Sequence, residues 1–164
     1  MDTYFRAMKD KVKPSKGPYD SCNIANYLIN LAKEKEEAIS IMRLLKLVYL
    51  SHGWNLANYG RPLLMDPIKA WRYGPVVPAI YYMFRGQDKY NLAQIDCEKP
   101  NDIDEESKQL MDNVFEYYKT YNPYQLIALT HEKGSPWWQI YNTQNHDKFI
   151  PNDLIKKFYK RKLK

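Results

Sequence analysis

Glycine is scarce in this sequence, and the motifs that depend on it are missing. The 164 residues include six Gly, which are scattered along the chain. None of them forms the GxGxxG or GxxxxGK[ST] pattern that holds phosphate groups. There is no HExxH zinc motif, and the three histidines (His52, His131 and His146) lie in different segments. We therefore predict no cofactor, no metal site and no catalytic residues.

Cysteine and long apolar stretches are also rare. Cys22 and Cys97 lie far apart and do not have the spacing of metal ligands. We interpret them as ordinary thiols in a reducing compartment. No apolar run approaches the ~20 residues that a membrane helix needs, and the charged N-terminus lacks the apolar core of a secretory signal. The sequence predicts a soluble, cytoplasmic protein with no membrane partner.

Hydrophobic residues, by contrast, are plentiful. They make up 45% of the chain, and aromatic residues make up 15%, which is enough for a packed core. A length of 164 residues suits a single domain. We place this domain at residues 20–164 and interpret residues 1–19 as a flexible basic arm that ends near "PSKGP".

Positive charge collects at the two ends of the chain. The formal net charge is +6, and six of the last nine residues, "KKFYKRKLK", are basic. Such a tail can neutralise the phosphates of a nucleic acid. It can equally be a solvated helix end, where Lys and Arg interact favourably with the helix dipole. We favour the helix end, because the aromatic and Arg pattern of a nucleic-acid module is missing.

The spacing of apolar residues predicts a mainly α protein, a compact single-domain bundle of about five to seven helices. Ile24, Leu28 and Leu31, for example, recur at the three- and four-residue spacing of one helix face. Four prolines between residues 62 and 78 forbid a long helix there. We expect at most a small two-stranded β element in that region, around residues 68–72.

Five residues mark the ends of the predicted helices. Ser40 and Asp104 suit N-caps, because their side chains can accept hydrogen bonds from free backbone N–H groups. Gly60 suits a left-handed helix stop. Pro78 and Pro151 fit the first turn of a helix.

The stretch "AWRYGPVVPAIY", residues 70–81, concentrates large rings and constrained backbone. We interpret Trp71 as a core anchor and Gly74-Pro75 as a fixed turn that aims the following helix. Tyr73 and the exposed side of residues 77–85 then remain for a partner. Tyrosine suits that role because it gives a large contact area for little lost rotamer freedom.

The segment "LTHEKGSPW" holds the best candidates for acid–base chemistry, His131 and Glu132. Neighbouring residues on a helix point about 100° apart, so we expect the two side chains not to face one site. We expect His131 at a helix C-terminus instead, followed by Gly134, which releases the chain. A hydrolase that uses His131 and Glu132 is the least favoured of our hypotheses.

Three motifs follow one another along the chain. They are a Lys-Leu-rich helix that leads through Tyr and Trp to Gly-x-Pro-Leu, an Ala-Trp-x-Tyr-Gly-Pro-Val core, and a Leu-Thr-His stretch before Pro-Trp. Their residues are Lys46, Leu47, Tyr49, Trp54, Gly60, Pro62, Leu63, Ala70, Trp71, Tyr73, Gly74, Pro75, Val76, Leu129, Thr130, His131, Pro136 and Trp137. This order, which covers roughly residues 21–158, resembles the Panacea domain of the SocA-like antitoxin family found in bacteria and phages. The arm before residue 21 is longer than that pattern needs.

The resemblance implies a helical antitoxin that binds and neutralises a co-encoded toxin. It also implies an adaptor role in the proteolysis of that toxin, as one member of the family has, and it assigns no catalytic residues. The implied partners are therefore a toxin and a protease. Our candidate partner-binding residues are Tyr73, Val77, Tyr82, Arg85 and Trp138. The structural motif comprises Trp54, Trp71, Gly74, Pro75, Val76, Tyr81, His131 and Trp137.

Overall fold

The computed structural model describes residues 16–144 and 146–163. Those ranges hold seven helices and one two-stranded sheet. In chain order the elements are α1 (Ser21–Glu34), α2 (Ile41–Tyr59), β1 (Lys69–Trp71), β2 (Gly74–Val76), α3 (Pro78–Phe84), α4 (Glu105–Tyr117), α5 (Pro123–Thr130), α6 (Pro136–Tyr141) and α7 (Asn152–Lys162). The predicted mainly α class with a small β element is confirmed. Among the helices of the described ranges, none is both long and apolar enough to cross a bilayer.

The ends of the helices follow local sequence signals. At the start of α2, Ser40 Oγ accepts a hydrogen bond from the backbone N–H of Arg43 at 3.1 Å. Gly60 ends this helix in the left-handed conformation, with φ at 72°. Asp104 precedes α4 as predicted, but its side chain does not cap the helix. Its carboxylate instead accepts a hydrogen bond from Tyr19 Oη at 2.7 Å.

The long helix α2 forms the centre of the domain. It is buried along nearly its whole length and contacts α1, α3, α4, α5, α7 and β2. Trp54 is fully buried, and its indole Nε1 donates a hydrogen bond to Tyr118 Oη at 3.0 Å. A Cβ atom on Gly53 would lie 2.7 Å from the ring of Tyr159. The missing side chain therefore lets α7 approach α2 closely.

The two short strands form a β-hairpin at one edge of the bundle. They pair antiparallel with Ala70 opposite Pro75, so that Arg72 and Tyr73 form the turn. The backbone N–H of Ala70 also donates to the carbonyl of Lys148 at 2.8 Å, which ties the hairpin to the segment before α7. β1 is thus hydrogen-bonded to β2 on one side and to the segment before α7 on the other.

Tyr19 belongs to the folded domain, which corrects the boundary that we placed after residue 19. Its side chain is fully buried. Its backbone N–H donates to the carbonyl of Leu63 at 2.8 Å, and its own carbonyl accepts from the N–H of Met65 at 2.9 Å. These bonds fix the chain beside the crossing that follows α2. Residues 1–15 of the predicted arm lie outside the described residues.

A disulfide joins Cys22 to Cys97, which contradicts our interpretation of them as ordinary thiols. The segment after α3 folds back along α1, because Asn26 Nδ2 donates to the carbonyl of Ile95 at 2.6 Å. The backbone N–H of Ile95 in turn donates to Asn26 Oδ1 at 3.0 Å. This contact brings together two cysteines that are 75 residues apart, with their Cα atoms at 5.8 Å. The separation of the two cysteines in the sequence did not predict that this segment folds back onto α1.

Candidate functional site

Gly74 is the first residue of β2 and follows the hairpin turn directly. Its φ is +117°, a conformation that residues with a side chain rarely adopt. A Cβ atom at this position would lie 2.9 Å from Lys46 Nζ and 3.1 Å from Thr130 Oγ1. Glycine is therefore favoured by the backbone angle, and a side chain here would also displace the end of Lys46.

Lys46 lies beneath the hairpin and is completely buried. Its Nζ donates a hydrogen bond to the carbonyl oxygen of Pro75 at 3.1 Å. No carboxylate among the described residues pairs with it, and burial lowers the pKa of the amine to about 7. A buried cation without a counter-charge costs stability. The hydrogen bond to Pro75 offsets part of that cost and links α2 to β2.

His131 borders the same site from the end of α5. Its ring stacks on Trp137, with centroids 3.6 Å apart and an angle of 2° between the planes. Burial lowers the pKa of His131, the charge of Lys46 lowers it further, and a hydrogen bond to the backbone of Tyr73 acts in the opposite direction. The indole Nε1 of Trp137 donates to the carbonyl of Trp71 at 2.6 Å. The Leu-Thr-His and Pro-Trp motifs thus hold the hairpin in place.

The side chains of His131 and Glu132 have different partners. Glu132 pairs with Lys162 of α7 at 3.3 Å, whereas His131 stacks on Trp137. The nearby Ser135 Oγ donates to the carbonyl of Thr130 at 3.0 Å. The structure therefore does not bring these three polar residues together as an acid, a base and a nucleophile.

His52, unlike His131, is buried. Its Nδ1 accepts a hydrogen bond from the backbone N–H of Leu64 at 3.2 Å, and its Nε2 lies 2.8 Å from Asn152 Oδ1. Burial lowers the pKa of His52 to about 4, so the ring stays neutral. In the described part of the chain, no group of three or more His, Cys, Asp or Glu side chains has the arrangement of a metal site.

The outer surface of the hairpin and α3 presents aromatic and cationic side chains. We call Arg72, Tyr73, Tyr82 and Arg85 the hairpin face. Both tyrosines are exposed, Tyr73 to 54%. The guanidinium carbon of Arg72 lies 5.6 Å from the Tyr73 ring centroid, and that of Arg85 lies 4.9 Å from the Tyr82 centroid. Exposed Tyr beside Arg is the composition that protein interfaces favour.

The prediction that Val77 contacts a partner is wrong. Val77 is fully buried, because the extended backbone before Pro78 directs its side chain into the core. Trp138 is half-buried and offers part of its ring to solvent. Trp71 is also half-buried, with its ring 5.3 Å from that of Tyr81. It packs against the core from outside instead of anchoring it from within.

The remaining members of the predicted structural motif lie at or near the hairpin, apart from Trp54 in the core. The buried members are Trp54, Gly74, Pro75, Val76 and Trp137, and the half-buried ones are Tyr81 and His131. Sequence reasoning did not give Lys46 a role in the site, although one signal was present. The lysine interrupts the run "LLKLVYL" in a helix whose apolar stripe is broad enough to bury every side.

The basic tail takes part in the fold through two of its lysines. Lys156 Nζ donates to the carbonyl of Gly60 at 3.5 Å, and Lys162 pairs with Glu132. Lys160, Arg161 and Lys162 occupy the last turn of α7, where the helix dipole favours positive charge. These contacts match our interpretation of the tail as a helix end.

Fold and surface together define a small helical domain that presents exposed aromatic and cationic side chains on a fixed β-hairpin. The family profile described as "Antitoxin SocA-like, Panacea domain" matches residues 44–138. The chain is 30% identical over 133 residues to "Antitoxin SocA" of Caulobacter vibrioides (strain NA1000 / CB15N). That similarity covers 75% of this chain and 71% of the relative. No solved structure matches the chain.

The chain therefore belongs to the SocA-like antitoxin family, and it carries the Panacea domain. This confirms the family that the three sequence motifs indicated. The matched range, residues 44–138, begins in the first turn of α2 and ends within α6, so it contains both Lys46 and the whole hairpin.

We predict that Lys46 makes stability depend on pH. The pKa of its amine is about 7 in the folded protein against an ordinary 10.5, so the unfolded chain holds more protons between those values. The free energy of unfolding should therefore rise from pH 7 to about pH 9.5. Above that range the buried tyrosines, whose pKa is raised, begin to reduce stability. Chemical denaturation at several pH values measures the slope.

Lys46→Met should remove this rise, and Lys157→Met on the exposed side of α7 should keep it. His52 and His131 do not disturb the comparison, because both have a lowered pKa and titrate below the window. Equal slopes for wild type and Lys46→Met would contradict the assignment.

Gly74→Ala should destabilise the protein more than Gly134→Ala. Both glycines have positive φ, but a Cβ atom at Gly134 meets no atom within 4 Å. Gly134→Ala should therefore cost about 1–2 kcal/mol from backbone strain alone. Gly74→Ala adds overpacking against Lys46, for which about 1–3 kcal/mol more is typical. Urea denaturation of the two variants measures the difference, and equal losses would show that the hairpin can move away from Lys46.

Proposed function

We propose that this chain is an antitoxin that binds a co-encoded toxin polypeptide and blocks it. The observation that carries the proposal is the hairpin face, where exposed Tyr73 and Tyr82 stand on a backbone held by Lys46 and Trp137. Membership of an antitoxin family supports a toxin as the partner.

The chemistry of the hairpin face suits recognition of another protein. Tyrosine side chains desolvate large areas and keep a hydroxyl for hydrogen bonding, and Arg adds donors for carboxylates. A rigid platform reduces the entropy that is lost on binding. Besides the hairpin face, we assign the exposed part of Trp138 to this contact.

Neutralisation is compatible with two fates of the toxin, inhibition within a stable complex or delivery to a protease. We include the second fate because the resemblance to the family implies an adaptor role. The toxin's half-life distinguishes them. An adaptor shortens that half-life when the antitoxin is present, whereas a plain inhibitor leaves it unchanged or lengthens it.

We predict that co-expression of this chain rescues growth of cells that express the protein encoded by the adjacent reading frame. Tyr73→Ala should weaken the rescue and leave folding intact, because its side chain is exposed. Growth assays and thermal unfolding of the purified variant measure the two effects. Met65→Ala is the matched control, since Met65 is 65% exposed and lies outside the hairpin face.

Two results would contradict the proposal. One is an adjacent gene product that is harmless by itself or remains toxic when the chain is present. The other is full rescue by a Tyr73→Ala, Tyr82→Ala double variant.

A further inference from the structure

Next to the hairpin face lies an open groove of about 470 Å³. We call it the tyrosine groove. Its lining includes the apolar side chains of Ile41, Met42 and Ile127 together with Tyr73, Lys89, Tyr90 and Tyr124. They come from the hairpin turn, the start of α2, the loop after α3 and the start of α5, and Tyr73 also belongs to the hairpin face.

The walls of the groove are fixed before any partner arrives. The backbone N–H of Ile41 donates to the carbonyl of Lys89 at 2.9 Å, and that of Leu92 donates to the carbonyl of Ile39 at 3.0 Å. On the opposite wall, a reciprocal capping box between Asn122 and Gln125 sets the first turn of α5. The groove is therefore preformed, which favours binding because little ordering is needed.

Three tyrosines stand around the groove with most of their surface in solvent. Tyr124 is 82% exposed, Tyr90 68% and Tyr73 54%. Single exposed apolar residues are common on protein surfaces, but several large ones around one concave apolar floor mark a binding site. Tyrosine is also among the residues that contribute most to the affinity of protein interfaces.

The rim of the groove is positively charged. Among the nine described residues that line it, Lys89 is the one charged side chain, and its Nζ lies 5.1 Å from the Tyr90 ring centroid. Arg72 adds a second cation beside Tyr73. The neighbouring Asp88 carboxylate accepts a hydrogen bond from the backbone N–H of Tyr90 at 3.0 Å.

We propose that the tyrosine groove receives a segment of the toxin that carries apolar side chains flanked by acidic residues. This inference rests on the proposed function and names the part of the chain that makes the contact. The apolar side chains pack on Ile41, Met42 and Ile127, between the three tyrosine rings. The acidic residues pair with Lys89 and Arg72. A second copy of this chain fits less well, because a net charge of +6 opposes self-association.

The experiment measures the affinity of the full-length chain for the purified protein encoded by the adjacent reading frame. Calorimetry on Tyr124→Ala and Lys89→Glu should show a loss of about tenfold or more for each. Met65→Ala is the control for Tyr124→Ala, and Lys157→Glu on exposed α7 is the control for Lys89→Glu. Both controls should bind within about twofold of wild type. Affinity should also fall with added salt in wild type and less so in Lys89→Glu.

Thermal unfolding checks that each variant is folded, which is expected because both side chains are exposed. If wild type does not bind or neutralise the gene product, the proposed function fails and this inference fails with it. If wild type binds and the two groove variants bind equally well, the groove assignment alone is overturned. A wild-type dimer that Tyr124→Ala converts to monomer in light scattering also overturns it, because a second copy then occupies the groove.

Discussion

The hydrogen bond from Lys46 to the carbonyl of Pro75 holds the β-hairpin against the central helix. It places a buried amine under a turn that only glycine fits, so the backbone angle at Gly74 and the path of Lys46 constrain each other. Burial of an amine that has no carboxylate partner is unfavourable, and the hydrogen bond to Pro75 offsets part of that cost. This bond and the bond from Trp137 to the carbonyl of Trp71 fix the hairpin against the bundle.

The position of the hairpin determines where its side chains lie on the surface. His131 stacks on Trp137 beside the hairpin. The indole N–H of Trp137 donates a hydrogen bond to the carbonyl of Trp71 in β1. Tyr73 lies at the tip of the hairpin, where it belongs to both the hairpin face and the tyrosine groove. Residues that are far apart in the sequence thus act as one scaffold, and the range matched by the family profile includes most of α2, the hairpin and the first half of α6.

Local signals predicted most of the fold, whereas contacts between distant segments were harder to predict. Ser40 and Gly60 reveal helix ends because their effect depends on a few neighbouring residues. The disulfide between Cys22 and Cys97 depends on how a loop folds back, and the burial of Val77 depends on the direction of the chain before Pro78. Tyr90 and Tyr124 lie in separate segments of the sequence, so only their arrangement in space indicates a binding site.

Hydrogen–deuterium exchange of the chain, alone and with the protein encoded by the adjacent reading frame, locates the surface that binds the partner. We expect slower exchange on binding at the hairpin turn, in the loop around Tyr90 and in the first turn of α5. Exchange in α7, which lies outside the proposed contact, should not change. Protection confined to α7, with the hairpin unaffected, would show that the hairpin face and the tyrosine groove are not the binding surface.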